Sequence, residues 1–131
     1  MRAAYGARTA AGFEETVAAV RAALAGEGFG VLTEIDLAAT LRDRLGAELE
    51  PYVILGACNP AFAMEAVGIE PSVGVLLPCN VVVRRDGGHT VVEAMDPGII
   101  AEMGASSRLA ELAAQVQLRV RRAVDAVGGG V

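Results

Sequence analysis

The sequence predicts an α+β fold, a two-layer sandwich of a largely antiparallel sheet with helices on one face. Three observations predict it. Apolar residues recur at helical spacing in several segments. Between those segments stand short apolar runs bounded by Gly, Pro, Asn and Asp, the pattern of strands. Two of these runs flank an Asp-Gly-Gly turn, which makes them a hairpin. The resulting order is β-α-β-α-β-α-β-β-α over one domain, residues 1–131.

The elements follow in chain order. Residues 5–10 form a short first strand. In "FEETVAAVRAALAGEG", Phe13, Val17, Val20 and Leu24 fall on one helical face, and Gly26 and Gly28 stop the helix. "FGVLTEI" alternates as a strand from Phe29 to Ile35. Asp36 caps a helix with a Leu37, Leu41, Leu45 stripe, and Gly46 ends it. "YVILGA" is a buried third strand. Asn59 is an N-cap and Pro60 the first helical residue of a short helix closed by Gly68.

"EPSVG" reads as a loop, Val75 to Leu77 as the start of a strand, and Asn80 to Arg85 as its body. "HTVVEAM" returns as the hairpin partner. Asp96 and Pro97 repeat the cap-then-proline signal for a short turn or helix. A long helix then runs from Ser106 or Ser107 to about Val127 with Leu109, Leu112, Val116, Val120, Val124 and Val127 as its stripe, and the terminal glycines fray it.

Composition narrows the function. Hydrophobic residues make up 53% of the chain, yet Gly, Pro and Asn break every dense segment, so no membrane span is expected. The surplus of apolar residues points to a subunit interface, and so to a homodimer. All 11 basic residues are Arg, which excludes lysine chemistry. A net charge of −5 argues against a nucleic-acid partner, because such a footprint needs a basic stripe. The absence of an apolar leader and the two widely spaced cysteines fit a reducing, cytoplasmic setting.

The chemistry-bearing residues are the two cysteines, each followed by asparagine: Cys58-Asn59-Pro60 and Cys79-Asn80. Cys58 stands just before a helix start, where free N–H groups and the helix dipole stabilise an anion such as a thiolate. Counting the hairpin back from Gly87 and Gly88 pairs Asp86 with His89, Val83 with Val92 and Val81 with Ala94. The same count sets Cys79 opposite Asp96. Cys79 then faces the helices, and a carboxylate opposite raises a thiol's pKa. Asn80 lies within a strand, where Asn is unfavourable, and its amide is free to bond a neighbour or a ligand beside Cys58. His89, the only histidine, sits at the hairpin tip about 23 Å from Cys79 at roughly 3.3 Å per residue, so one chain does not gather both on a metal. The opposite hairpin face, with Asn80, Val82, Arg84, Val91, Glu93 and Met95, is apolar enough to be a dimer surface.

The segments "GFGVLTEID" (28–36), "YVILGACNPAFA" (52–63), "GVLLPCNVVV" (74–83) and the later Asp96-Pro97 together resemble the prokaryotic family called domain of unknown function 302. The resemblance implies a small α/β bacterial protein that self-associates. It implies no established activity, cofactor or substrate.

The leading expectation is a thiol-centred site of Cys58, Asn59, Pro60, Cys79 and Asn80, with Asp96 secondary, for a small molecule or for redox or sulfur chemistry. Here Cys58 is nucleophile or ligand, Cys79 a second or resolving thiol, and the Asn amides orient the bound group. The alternatives are a non-catalytic homodimeric binding or assembly module with structural cysteines, and a metal or haem carrier. No cofactor is specified, and no metal site is assigned.

Overall fold

The computed structural model describes residues 1–128. Five strands are formed: β1 Ala4–Thr9, β2 Gly30–Asp36, β3 Tyr52–Cys58, β4 Cys79–Asp86 and β5 His89–Met95. They make one antiparallel sheet in the order β1-β5-β4-β3-β2. The chain thus walks across the sheet from β2 to β5, while β1 closes the far edge. The hairpin register is the one its turn predicts: Asp86 pairs with His89, Val83 with Val92 and Val81 with Ala94. A two-residue turn leaves no slack, so each later pair is fixed by counting.

Helix α1, Phe13–Gly26, buries Thr16, Val20 and Leu24 against the sheet. Gly28 (φ 88°) then turns the chain into β2. Helix α5, Ser107–Gly128, is 22 residues long. That is about 33 Å at 1.5 Å per residue, longer than the sheet it covers. Its C-terminal half puts Val120, Ala123 and Val124 into the main core beside α1, Leu55, Val83 and Val92. Its N-terminal half runs past the end of the sheet. There Leu109, Leu112 and Ala113 form a second apolar cluster with Ala66, Val73 and Ile100. These come from α3 (Pro60–Ile69), a 3-10 turn (Pro71–Leu76) and α4 (Ile99–Glu102). The α+β sandwich is therefore extended beyond one end of its sheet.

Several local expectations change. Val75 to Leu77 does not begin a strand. The segment curls into the 3-10 turn, the Leu77–Pro78 peptide is cis, and β4 starts at Cys79. Helix α2, Leu37–Leu45, has its expected ends: Asp36 Oδ1 accepts from the Ala39 N–H at 2.9 Å, and Gly46 has φ 66°. Its leucine stripe does not enter the core, because α2 flanks the sheet's β2–β3 edge. None of its residues is buried and Leu45 is 75% exposed.

The hairpin's outer face is also less open than its composition suggests. Val91 lies between its pair partners Arg8 on β1 and Arg84 on β4 and is only 5% exposed. Arg84 and Glu93 close the neighbouring surface with an ion pair at 2.8 Å. The exposed large apolar side chains lie elsewhere, on β2, α2, α3, the 3-10 turn and α5 and in the connecting and N-terminal segments. Of the three terminal glycines expected to fray the last helix, Gly128 is still helical, and the other two lie outside the described residues.

Candidate functional site

Strand β3 ends at Cys58, β4 begins at Cys79 and β5 ends at Met95, all at the same end of the sheet. A cavity of about 60 Å³ opens there, between the main core and the second apolar cluster. Phe29 and Ala57 border it from the sheet side, Phe62 from α3, Val73 from the 3-10 turn and Leu112 from α5. Both cysteines border it as well, and Asn59 is the one amide that does. None of the bordering residues carries a charge.

The two thiols differ. Cys79 pairs with Ala57 across β3–β4 and is 8% exposed. Burial pushes its thiol up to about 11, and the neighbouring Cys58 adds to the rise. It is therefore protonated at neutral pH. Cys58 is one residue beyond that register, half-buried, at the last position of β3. β-pair geometry leaves the two Cα atoms roughly 6 Å apart, inside the disulfide range, but alternation directs the side chains to opposite faces. Both cysteines are free. The cavity lies at the sheet's end, where residues of either face border it.

The expected partnership of Cys79 with Asp96 does not form. Asp96 stands just past the end of β5, and its carboxylate turns to α5 instead. It accepts from Gln117 Nε2 at 2.8 Å and Arg121 Nη2 at 2.7 Å, and from the Gly98 N–H at 3.2 Å. Burial alone would raise the carboxyl's pKa. The hydrogen bonds from Arg121, Gln117 and Gly98 outweigh it and hold the group below its usual value. Asp96 thus ties strand to helix, and the raised thiol of Cys79 has burial as its first cause.

Asn59 is the expected cap of α3: its Oδ1 accepts from the Phe62 N–H at 3.4 Å. It also stitches α3 to the α1–β2 turn, donating from Nδ2 to the Glu27 carbonyl at 3.4 Å. Arg119 donates to the same carbonyl at 3.2 Å, with its guanidinium 5.5 Å from the centre of the Phe62 ring. Pro60 is exposed at the first position of α3 and does not border the cavity. Asn80 pairs with Gly56 on the outer face, is exposed, and is likewise apart from the cavity. His89 is exposed at the hairpin tip. Of the six expected residues, the structure gathers Cys58, Asn59 and Cys79. No group of three or more His, Cys, Asp or Glu residues is placed to share a metal among the described residues.

Phe62, Val73, Leu112 and Arg119 are the site residues that sequence reasoning passed over. One signal was available. In "PAFAMEAVGI" only Glu65 is charged, and Phe62, Ala66 and Ile69 stand at helical spacing on the face that α3 turns to the second cluster.

Fold and site define a small α+β protein whose antiparallel sheet ends in a thiol-bordered apolar cavity. The chain belongs to the family described as Domain of unknown function DUF302, whose sequence profile matches residues 5–127. The fold is similar to the crystal structure of an uncharacterized conserved protein DUF302 from Bacillus stearothermophilus. That match has a TM-score of 0.90 and 30% identity, and covers 97% of this chain and 99% of the other. No curated protein matches. Among the described residues no helix is long and apolar enough to cross a membrane.

Proposed function

We propose that this protein binds a small molecule in the cavity at the end of its sheet, with Cys58 as the group that grips or reacts with it. The observation that carries the reading is the meeting of both cysteines at one apolar cavity between two separately packed clusters. Cys79, buried and protonated, serves as a neutral wall. The opposed directions of the two side chains disfavour a resolving role for it. Asn59 and Arg119 hold α3 in place over the cavity. The same reading takes the chain as a single domain in a reducing, cytoplasmic compartment, where both thiols persist. The test is alkylation of Cys58 in a Cys79→Ala protein, with and without xenon, an apolar probe small enough for the cavity. Xenon slows the reaction if the cavity is the route to the thiol. A rate equal to that of free cysteine, unmoved by xenon, rejects the reading.

A second reading, a homodimeric assembly module with architectural cysteines, draws on a different observation. Helix α3 and the 3-10 turn present Met64 at 79%, Val67 at 44% and Val75 at 87% exposure. Sedimentation of the native chain and of a Met64→Glu variant separates the two readings. A dimer that Met64→Glu dissociates supports assembly through this surface, and a monomer at high concentration removes it.

A further inference from the structure

Resting on the reading of the cavity as a binding site, we infer that its ligand is an uncharged molecule of a few heavy atoms, and that carboxylates and phosphates are excluded. Size is the first constraint. About 60 Å³ is less than half of the ~150 Å³ at which an apolar cavity takes up benzene. The cavity therefore encloses a few heavy atoms and not a cofactor-sized ligand.

Charge is the second constraint. A buried anion needs a cation or several N–H donors, since an unpaired charge in an apolar site costs several kcal/mol or more. No arginine borders the cavity. Arg119 donates to the Glu27 carbonyl and lies over Phe62. Arg121 is paired with Asp96 at 2.7 Å. Asn59 uses its oxygen on the Phe62 N–H and its nitrogen on the Glu27 carbonyl. The first turn of α3 offers little more, because Pro60 has no N–H and that of Phe62 is taken. A cation fares no better, as no carboxylate borders the cavity. The two thiols remain, and they suit a soft, neutral group.

The test compares iodoacetamide with iodoacetate on the Cys79→Ala protein, so that only Cys58 reports. In each reaction the Cys58 sulfur bonds to the reagent's methylene carbon, iodide leaves with the bonding pair, and the thiol proton goes to water. Rates are divided by those of free cysteine. They are taken at high salt, because the net charge of −5 repels anions at long range and salt screens that repulsion while leaving desolvation in place. Two further variants alter the cavity: Ala66→Leu fills it and Leu112→Ala enlarges it. The expected result is a preference of about tenfold or more for the neutral reagent, with Ala66→Leu slowing it and Leu112→Ala speeding it. Equal normalised rates for both reagents, each still responsive to the cavity variants, overturn the neutral-ligand inference and leave the cavity reading standing. Rates indifferent to both cavity variants overturn both.

Discussion

Arg121 reaches back from α5 to Asp96 at 2.7 Å, and in doing so fixes the end of β5 to the helix that covers the sheet. The guanidinium also lies 4.7 Å from the centre of the Tyr5 ring, so one side chain joins β1, β5 and α5. Asp96→Asn removes the charge and keeps the shape. Since hydrogen bonds to charged groups contribute about 1.5–3 kcal/mol, we expect a loss of about 1–3 kcal/mol at neutral pH. The depressed pKa of Asp96 sets the pH dependence. Its stabilisation is present above the unfolded value, taken as 3.8, and is lost as pH falls through the lower folded value. Urea midpoints of the native and Asp96→Asn proteins therefore converge below about pH 3.8 and stay apart above it.

Cys79 works in the opposite direction. Its thiol titrates near 9.0 when free and about 11 in the fold. The folded state prefers the neutral thiol, so this stabilisation is complete below pH 9 and is lost as pH rises to about 11. A gap of two units corresponds to about 2–3 kcal/mol. Cys79→Ala leaves a void and lowers stability by a constant amount. It should also flatten the decline between pH 9.0 and about 11 relative to the native chain. Parallel declines in urea titrations would show that other groups cause the alkaline loss.

The contrast between these two residues shows what the sequence made legible. A two-residue turn fixed the hairpin register, so the pairs from Asp86–His89 to Val81–Ala94 followed from counting. Where the Asp96 carboxylate points did not follow, because its partners Gln117 and Arg121 lie 21 and 25 residues away. Local chemistry carried further: Asp36 and Asn59 are caps and Gly46 is a helix end because each acts within a turn of its own position. The cavity was hidden for a related reason. Its outer wall comes from the overhang of α5 past the sheet, and neither helical period nor strand alternation says where one element ends relative to another. The leucine stripe of α2 misled by the same limit, since periodicity marks an apolar face without saying what covers it.

The stitch at Asn59 gives a third expectation. Asn59→Ala removes the cap of α3 and its bond to Glu27, and a lost cap costs about 1 kcal/mol. Gly28→Ala should cost at least as much. Gly28 has φ 88°, and a Cβ there stands 3.0 Å from Asn59 Nδ2. Both changes loosen the wall over the cavity, so both should speed alkylation of Cys58 while shifting the urea midpoint only modestly. A midpoint shift without any change in alkylation would detach this wall from access to the thiol.

Gly56 offers a sharper probe of the same region from the other face. It pairs with Asn80, and a Cβ there would overlap Thr33 Oγ1 and come within 2.8 Å of Pro78 Cγ. The Thr33 side chain can rotate away, but the Pro78 ring cannot yield without moving the backbone that leads into Cys79. We therefore expect Gly56→Ala to cost about 1–3 kcal/mol, as overpacking does. Thr33→Ala removes one of the two obstructions and should restore part of that loss in the double variant, giving a coupling energy of the sign expected for neighbours in contact. Because the remaining strain falls on Pro78, the start of β4 shifts, and with it the buried thiol on the cavity wall. Alkylation of Cys79 at pH 8, negligible in the native chain, should then become measurable in Gly56→Ala. Additive effects of Gly56→Ala and Thr33→Ala, with Cys79 still unreactive, would show that the sheet absorbs the methyl elsewhere.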